Sequence, residues 1–455
     1  MSDITFTALG GGSEIGANCY LIECEGHQVV LDCGMHPKKD GVSALPDLNG
    51  AIHKPDAVVV THAHVDHCGA VPYLMKLHPK TACYATHPTV SIMDRMLHNS
   101  VSVMGTLALE KGIHEYPLYT HTDADEAIRR TYAMDFSHEF ALTWDTPFRA
   151  VFYRAGHVLG AAGVLLKMPN HTLFYTGDVC ATEQELLPGM AALDELGQVD
   201  TLIIESTRGA KDESGLPTLK TETARFAKAI TEVLDRGGVV LIPAFALGRT
   251  QELLNVISRL VDEGRVPDVP VYASGLGRAI YEIYNRYRDY LKPGSGLRRL
   301  SDYKRIGDVW ERSVRRNLLR EPCILVATSG MMVENTPSAM LAQEMVQHEK
   351  HGIFFVGYLD PDTLGYQVLH AKAGERLTFE RGSHSVKVRL ENMQTFNFSA
   401  HAPREDLLKL VEKIKPRNVV YVHGDTEALE TMHTLTGEGY KKYIPVIGEP
   451  LTLER

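Results

Sequence analysis

Between Thr61 and Gly69 the chain reads THAHVDHCG, which sets His62, His64, Asp66 and His67 within six residues directly after the apolar run AVVV. Imidazole nitrogens beside a carboxylate are a donor set suited to zinc and similar borderline cations. Residues two apart at the end of an extended run point the same way, so His62 and His64 can share one metal. Asp66 and His67 fall where a helical pattern begins and face a second position. Three unrelated surface histidines are the bland alternative. One short stretch cannot close two tetrahedral sites, so other segments must supply ligands. His157 in AGHVLG follows an alternating strand, and reads either as a ligand or as a structural histidine. Asp178 in LFYTGDV ends another strand; its two oxygens suffice to bridge two cations, although taken alone a turn aspartate is the commoner reading. Asp32 in VVLDCG suits either a turn before Gly34 or a carboxylate that accepts the free N–H of a ligating histidine and so sets its tautomer.

The elements that must position these residues come in two styles. Up to about residue 206 short strands dominate (ITFTALG, CYLIEC, HQVVLDCG, DAVVVTH, FRAVFYR, GVLLKMP, TLFYTGD, TLIIES), with helical patterns near 68–77, 88–111 and 123–133. From about 216 to 358 strands and helices alternate strictly, from TLKTETARFAKAITEVLDRG and VVLIPAF through to GIFFVGY, which predicts a parallel sheet covered by helices. The last stretch returns to FNFSAH, a helix at 403–414 and the strand NVVYVHG. The second style therefore reads as an insertion in the first.

Composition narrows the function classes. A hydrophobic content of 44% and charged content of 23% over 455 residues describe a globular chain of two domains or one domain with an insertion. The start MSDITFTALGGG has no basic, apolar leader, and no run approaches the ~20 apolar residues of a membrane span, so a cytoplasmic location without a membrane partner is expected. Seven cysteines without a C-x-x-C pair argue against a disulfide framework or a thiolate zinc site. A net charge of −10 excludes a broad basic footprint, so a polyanionic substrate must be gripped locally.

Through THAHVDHCG, AGHVLG and TGD, in that order, the sequence resembles the metallo-β-lactamase fold hydrolases, and within them the β-CASP nucleases. The second resemblance rests on LIIEST with Glu205, FSAH with His401 and VYVHGD with His423, together with PAFALGRTQELL and ATSGMM. It implies an α/β fold, an αββα sandwich in residues 1–206 and 385–455 interrupted by a parallel-sheet αβα β-CASP domain in 207–384. It also implies two zinc ions, one held by His62, His64 and His157, the other by Asp66, His67 and His423, with Asp178 bridging and Asp32 behind. Asp66, His401 and Glu205 form the implied catalytic set, with His401 protonating the leaving oxygen and Glu205 orienting it. The implied reaction is hydrolysis of single-stranded RNA by hydroxide held between the cations, leaving a 5′-phosphate and a 3′-hydroxyl. His423 favours RNA over DNA, because DNA-directed members tend to lack it. Arg249 and backbone N–H groups around Ser329 and Gly330 are candidates for substrate binding; a helix start and a strand-to-helix turn are the alternatives. A homodimer is left open.

Two places depart from the family pattern: ESTRG carries Arg208 where a tyrosine is frequent, and DTLGYQ carries Tyr366. Both put the substrate path in doubt. A non-catalytic RNA-processing scaffold, and a metallohydrolase acting on DNA or small esters, are the rival readings. Every ligand position is filled, which opposes the first, and the long insertion with Glu205, His401 and His423 opposes the second.

Overall fold

Along strand Thr201–Glu205 the side chains alternate between two buried faces: Ile203 joins one apolar core, Leu202 and Ile204 another. Strand Ala162–Met168 divides likewise, with Val164 and Leu166 on one face and Leu165 on the other. A strand buried on both faces needs apolar residues throughout, which is why these segments read as continuous hydrophobic runs. Truncating one such residue, for example Leu202→Ala, removes about 2–5 kcal/mol.

These strands belong to the first of two units in the computed structural model, which describes residues 4–454 apart from 49, 144–145, 192, 214, 216 and 380–384. The first unit comprises Met1–Glu183, Leu187–Gly215 and His401–Arg455. One seven-stranded sheet runs in the order Pro450–Leu453, Ile4–Gly10, Cys19–Cys24, His27–Leu31, Ala57–Val59, Ala82–Thr86, Thr131–Met134. Its second half is parallel. The other sheet is ordered Lys441–Tyr443, Asn418–Val422, Thr201–Glu205, His171–Tyr175, Ala162–Met168, Arg149–Arg154, Glu139–Ala141, and its first four strands are parallel. Phe6, Tyr20 and Leu31 from one sheet meet Phe152, Tyr175 and Val420 from the other in a shared core. Helices Arg404–Ile414 and Thr426–Leu435 cover the second sheet's outer face through Leu407, Leu410, Leu429 and Met432, and helix His87–Lys111 packs on the first sheet. This is the expected αββα sandwich.

The second unit, Gln184–Leu186 with Leu216–Ala400, is built on a six-stranded sheet. Its order is Lys304–Arg305, Val271–Ala273, Ile324–Ala327, Val240–Pro243, Gly352–Phe355, Met393–Thr395, and every pairing is parallel. Helices Leu219–Asp235, Arg249–Asp262, Gly275–Arg286 and Pro337–Met345 alternate with the strands, as the rhythm of the sequence predicts.

Three details differ from the sequence reading. The helical pattern at 123–133 is a helix at His121–Arg129, opened by a Thr120–Asp123 capping box, followed by strand Thr131–Met134 pairing with Ala82–Thr86. The β-prone Thr131 and Tyr132 find a parallel neighbour, and tertiary pairing overrides helical period. The return to the first unit expected at 385 comes at His401, because Met393–Thr395 pairs with Gly352–Phe355 and keeps residues 393–400 in the inserted sheet. The 384/385 boundary itself adjoins 380–384, outside the described residues. The short edge strands Lys441–Tyr443 and Pro450–Leu453 carry no sequence signal of their own. Among the described residues no helix is long and apolar enough to cross a membrane.

Candidate metal centre

Parallel strands of the first unit end together, and their carboxyl ends carry the reactive groups. Asp32 follows His27–Leu31, His62 and His64 follow Ala57–Val59, Asp178 follows His171–Tyr175, Glu205 ends its own strand, and His423 follows Asn418–Val422. His157 lies in the connection between antiparallel strands Arg149–Arg154 and Ala162–Met168. Two of these residues adopt the left-handed backbone region that non-glycine residues rarely visit: Asp32 with φ 58° and His423 with φ 53°. Such strain persists where surrounding structure enforces it, and it is concentrated at functional sites. Gly34 allows the closest approach, since a Cβ there would stand 1.7 Å from the carbonyl oxygen of Asp66.

The side chains converge into two groups, His62, His64, His157 and Asp178 in one, Asp66, His67 and His423 in the other. In the first, Nδ1 of His64 lies 3.1 Å from Nε2 of His62 and 3.2 Å from Nε2 of His157. Oδ2 of Asp178 is 3.6 Å from Nε2 of both His62 and His157. In the second, Oδ2 of Asp66 is 3.4 Å from Nε2 of His423 and 3.8 Å from Nε2 of His67. Oδ1 of Asp178 faces this group, 3.3 Å from Nε2 of His67 and 3.2 Å from Nδ1 of His423. Ligands 2.0–2.1 Å from a tetrahedral zinc stand about 3.3 Å from one another, so both sets have the spacing a metal needs. Asp178 offers one oxygen to each set.

The buried polar chemistry also fits a bound cation. Asp178 is 3% exposed, and its Oδ1 makes no hydrogen bond of acceptable geometry. A buried carboxylate oxygen without a donor is costly, and a metal would remove that cost. Burial pushes the Asp178 carboxyl up, but the imidazoles of His423 and His67 outweigh it and hold the group well below the usual carboxylate range. His62 and His64 are pushed down, chiefly by burial, which keeps them neutral with free lone pairs. His67 goes the other way: burial would lower it, but the carboxylates of Asp178, Asp32 and Asp66 raise it well above its ordinary value.

A surrounding layer orients the donors. Oδ2 of Asp32 lies 2.8 Å from Nδ1 of His67 and accepts from the hydroxyls of Thr61 and Tyr175 at 2.8 Å each. With Nδ1 bonded there, Nε2 of His67 is the nitrogen turned to the cluster. Thr61 Oγ1 is 3.1 Å from Nδ1 of His62, and Thr207 Oγ1 is 2.9 Å from Nδ1 of His423. Asn18 places Nδ2 3.0 Å from Nε2 of His67 and donates to the carbonyl of Asp66. The sequence reading named none of Asn18, Thr61, Tyr175 or Thr207. Thr61 and Tyr175 lie beside His62 and Asp178 in the chain, a signal a closer reading could use; Asn18 carries none.

Beside the ligand groups stands the pair Glu205 and His401. Nδ1 of His401 lies 3.2 and 3.1 Å from the two oxygens of Glu205, and its Nε2 is 4.0 Å from Oδ2 of Asp178. Glu205 is buried and also accepts from the backbone N–H of Val179 at 2.7 Å. Burial works against the imidazolium of His401, but Glu205 outweighs it and raises the group above its ordinary value. Arg208 donates to the carbonyl of His401 at 2.8 Å and forms a two-pronged ion pair with Glu213. Asp66, His64 and His401 are the partly exposed members, Asp66 and His401 at 22% and 23% of their side-chain surface, so the cluster opens to solvent on their side.

Arg249, Ser329 and Gly330 belong to the second unit. Arg249 opens its helix as expected, but its guanidinium is buried, donating to the carbonyl of Phe398 at 2.5 Å and to Gln184. A guanidinium bonded in this way fastens chain segments; it is not displayed as a free cation, which corrects the expectation of a surface positive charge there. Ser329 forms a turn, its hydroxyl accepting from the N–H of Val333 and its carbonyl from Ser338 Oγ. Gly330 is packed so closely that a Cβ would meet Phe245 at 2.9 Å.

Comparison with known proteins agrees with this geometry. Residues 12–190 match the metallo-beta-lactamase superfamily, 250–368 the Beta-Casp domain, and 385–445 the Zn-dependent metallo-hydrolase RNA specificity domain. The last match spans His401 and His423. The chain is 31% identical to the transcription termination factor FttA of Methanocaldococcus jannaschii, over 97% of this chain and 70% of that protein. It is 31% identical to an RNase J-like protein of the same organism, over 91% of each. It is 30% identical to the endoribonuclease YSH1 of Gibberella zeae, over 93% of this chain and 53% of that protein. The chain belongs to the β-CASP family of metal-dependent nucleases within the metallo-β-lactamase superfamily.

Proposed function

We propose that this nuclease hydrolyses phosphodiester bonds of single-stranded RNA with two zinc ions per chain, leaving a 5′-phosphate and a 3′-hydroxyl. The observation that carries the reading is the shared carboxylate: Asp178 turns one oxygen to the His62, His64, His157 set and the other to the Asp66, His67, His423 set. When bound, the metals supply water activation near neutral pH and charge neutralisation at the phosphate. His62, His64, His157, Asp66, His67 and His423 hold them, and Asp32, Thr61 and Thr207 keep the ligand nitrogens aimed. On the side of Asp66, His64 and His401 the cluster is open to the phosphodiester. His401, protonated and braced by Glu205, gives its proton to the departing ribose oxygen; general acid catalysis of this kind is worth about 10²–10⁴-fold. Arg208 holds the His401 carbonyl and so keeps that imidazole in place.

RNA is favoured over DNA by the match of residues 385–445 to an RNA specificity domain and by relatives named as ribonucleases. The net charge of −10 implies that few phosphates are gripped, so binding should weaken only shallowly with salt. Ser329 and Gly330 remain candidates for the substrate path, and an action in the cytoplasm accords with the archaeal relatives. The test is incubation of the zinc-loaded protein with end-labelled RNA and DNA single strands and an RNA duplex. Faster cleavage of the RNA single strand, with 3′-hydroxyl ends, is expected. Equal rates on matched RNA and DNA, or 2′,3′-cyclic phosphate ends, would overturn the reading.

A further inference from the structure

A second group of metal-ligating side chains lies on helices of the first unit that carry none of the residues above. Asp94 and His98 stand one turn apart on helix His87–Lys111, and His121 and Asp125 one turn apart on helix His121–Arg129. The two helices pack together, and their pairs meet. Nε2 of His98 is 3.1 Å from Oδ1 of Asp125 and 3.5 Å from Oδ1 of Asp94. Nδ1 of His98 is 2.7 Å from Nδ1 of His121, with the two rings nearly parallel at 12°.

Two ring nitrogens at hydrogen-bond distance cannot both carry protons, so one donates and the other accepts. If Nδ1–H of His98 donates to His121, Nε2 of His98 points between two carboxylates. A lone pair aimed between two anionic oxygens is unfavourable, and a cation placed there would relieve it; in the other tautomer His121 donates to Nδ1 of His98, and Nε2–H of His98 donates to Asp125 without one. The spacings, 3.1 and 3.5 Å, fall within the 3.1 to 3.8 Å of the buried groups. Among the described ion pairs, Asp94 and Asp125 have no partner but His98.

We propose that Asp94, Nε2 of His98 and Asp125 bind a divalent transition cation of the zinc type, water completing its shell. Nδ1 of His121 accepts from His98 and fixes the tautomer that leaves Nε2 free, the relation that Asp32 has to His67. The cation joins the helices His87–Lys111 and His121–Arg129 across residues 112–120, and it acts as a clamp on the outer layer with no part in the hydrolysis.

Zinc titrated by calorimetry into wild type already loaded at its tight sites should show one further binding event. His98→Gln should lack that event, and His121→Phe should weaken it by about 10–100-fold, the usual cost of removing an orienting partner. Added zinc should raise the unfolding temperature of wild type but not of His98→Gln, while nuclease activity stays the same in both. Asp125→Asn is a second variant with an intact fold expected, and it should also lose the event. Equal zinc uptake and an equal zinc-dependent rise in unfolding temperature in wild type, His98→Gln and Asp125→Asn, each folded by circular dichroism, would show that Nε2 of His98 carries a proton and no metal, and would overturn the proposal.

Discussion

The two histidine–aspartate clusters of the first unit use the same donors at nearly the same spacing, and they are held in opposite ways. In the inner one, His62, His67, His157, Asp178 and His423 are at most 3% exposed, and hydroxyls or a carboxylate occupy the second nitrogen of His62, His67 and His423. In the outer one the side chains of Asp94 and Asp125 are 46% and 60% exposed, and only His98 has an orienting neighbour, His121. Water can solvate the outer carboxylates when no cation is present. The inner carboxylate of Asp178 has no such recourse, so removing positive charge from around it leaves a buried anion with a heavy desolvation cost. Identical ligand chemistry therefore yields a site that must be filled in one place and one that can exchange in the other.

The largest expected effect breaks the inner cluster at its shared member. Asp178→Ala should lose both tightly held metals by elemental analysis and reduce nuclease activity to background; retention of either metal at full level would remove its bridging role. Next comes His401→Ala, which should keep its metals and lose about 10²–10⁴-fold in turnover, so that intact metal content with intact activity would refute the assignment as proton donor. Asp32→Asn alters only an orienting partner. It should weaken metal binding by about 10–100-fold, measured by competition with a chelator, and an unchanged affinity would place Asp32 outside the site's support.

A subtler measurement follows from the raised pKa of His401. Its ordinary value is about 6.5, and Glu205 raises it, so the imidazolium's contribution is full below about 6.5 and is lost as pH rises through the raised value. Activity should accordingly fall on the alkaline side. In Glu205→Gln that fall should begin at lower pH, and an alkaline limb that does not move would assign it to another group. The smallest effect belongs to the outer cluster, where His98→Gln should leave turnover and the inner metals untouched.

Much of the inner site is legible in the chain because its candidate ligands lie in short, ordered stretches at the ends of strands, although Glu205, His401 and His423 stand out only through the family resemblance. His62 and His64 stand just before the short helix Val65–Cys68 that carries Asp66 and His67, and the parallel strands that lead to Asp178, Glu205 and His423 announce themselves as apolar runs buried on both faces. What surrounds those ligands is less visible. Asn18, just before strand Cys19–Cys24, approaches His67 from 49 residues away, and Arg208 reaches the carbonyl of His401 across 193. Neither contact has a local pattern, since the partners are brought together only when the sheets close. Arg249 shows the converse: a lone arginine at a helix start reads as a free charge, and only packing reveals that Phe398 and Gln184 have already taken it.

Residue type and spacing by themselves determined that a chain of short paired strands is interrupted by a parallel αβ insertion, and which side chains end its strands, because apolar runs and donor chemistry are written into local sequence; the two-sheet sandwich was implied by the resemblance of its motifs to the metallo-β-lactamase fold. The tertiary structure alone decided that the insertion holds on to residues 393–400, that Asp178 divides its oxygens between two donor sets, and that His98 meets Asp125 on another helix. Those outcomes depend on strand partners, backbone strain at Asp32 and His423, and helix contacts between distant segments, which no window of the sequence contains.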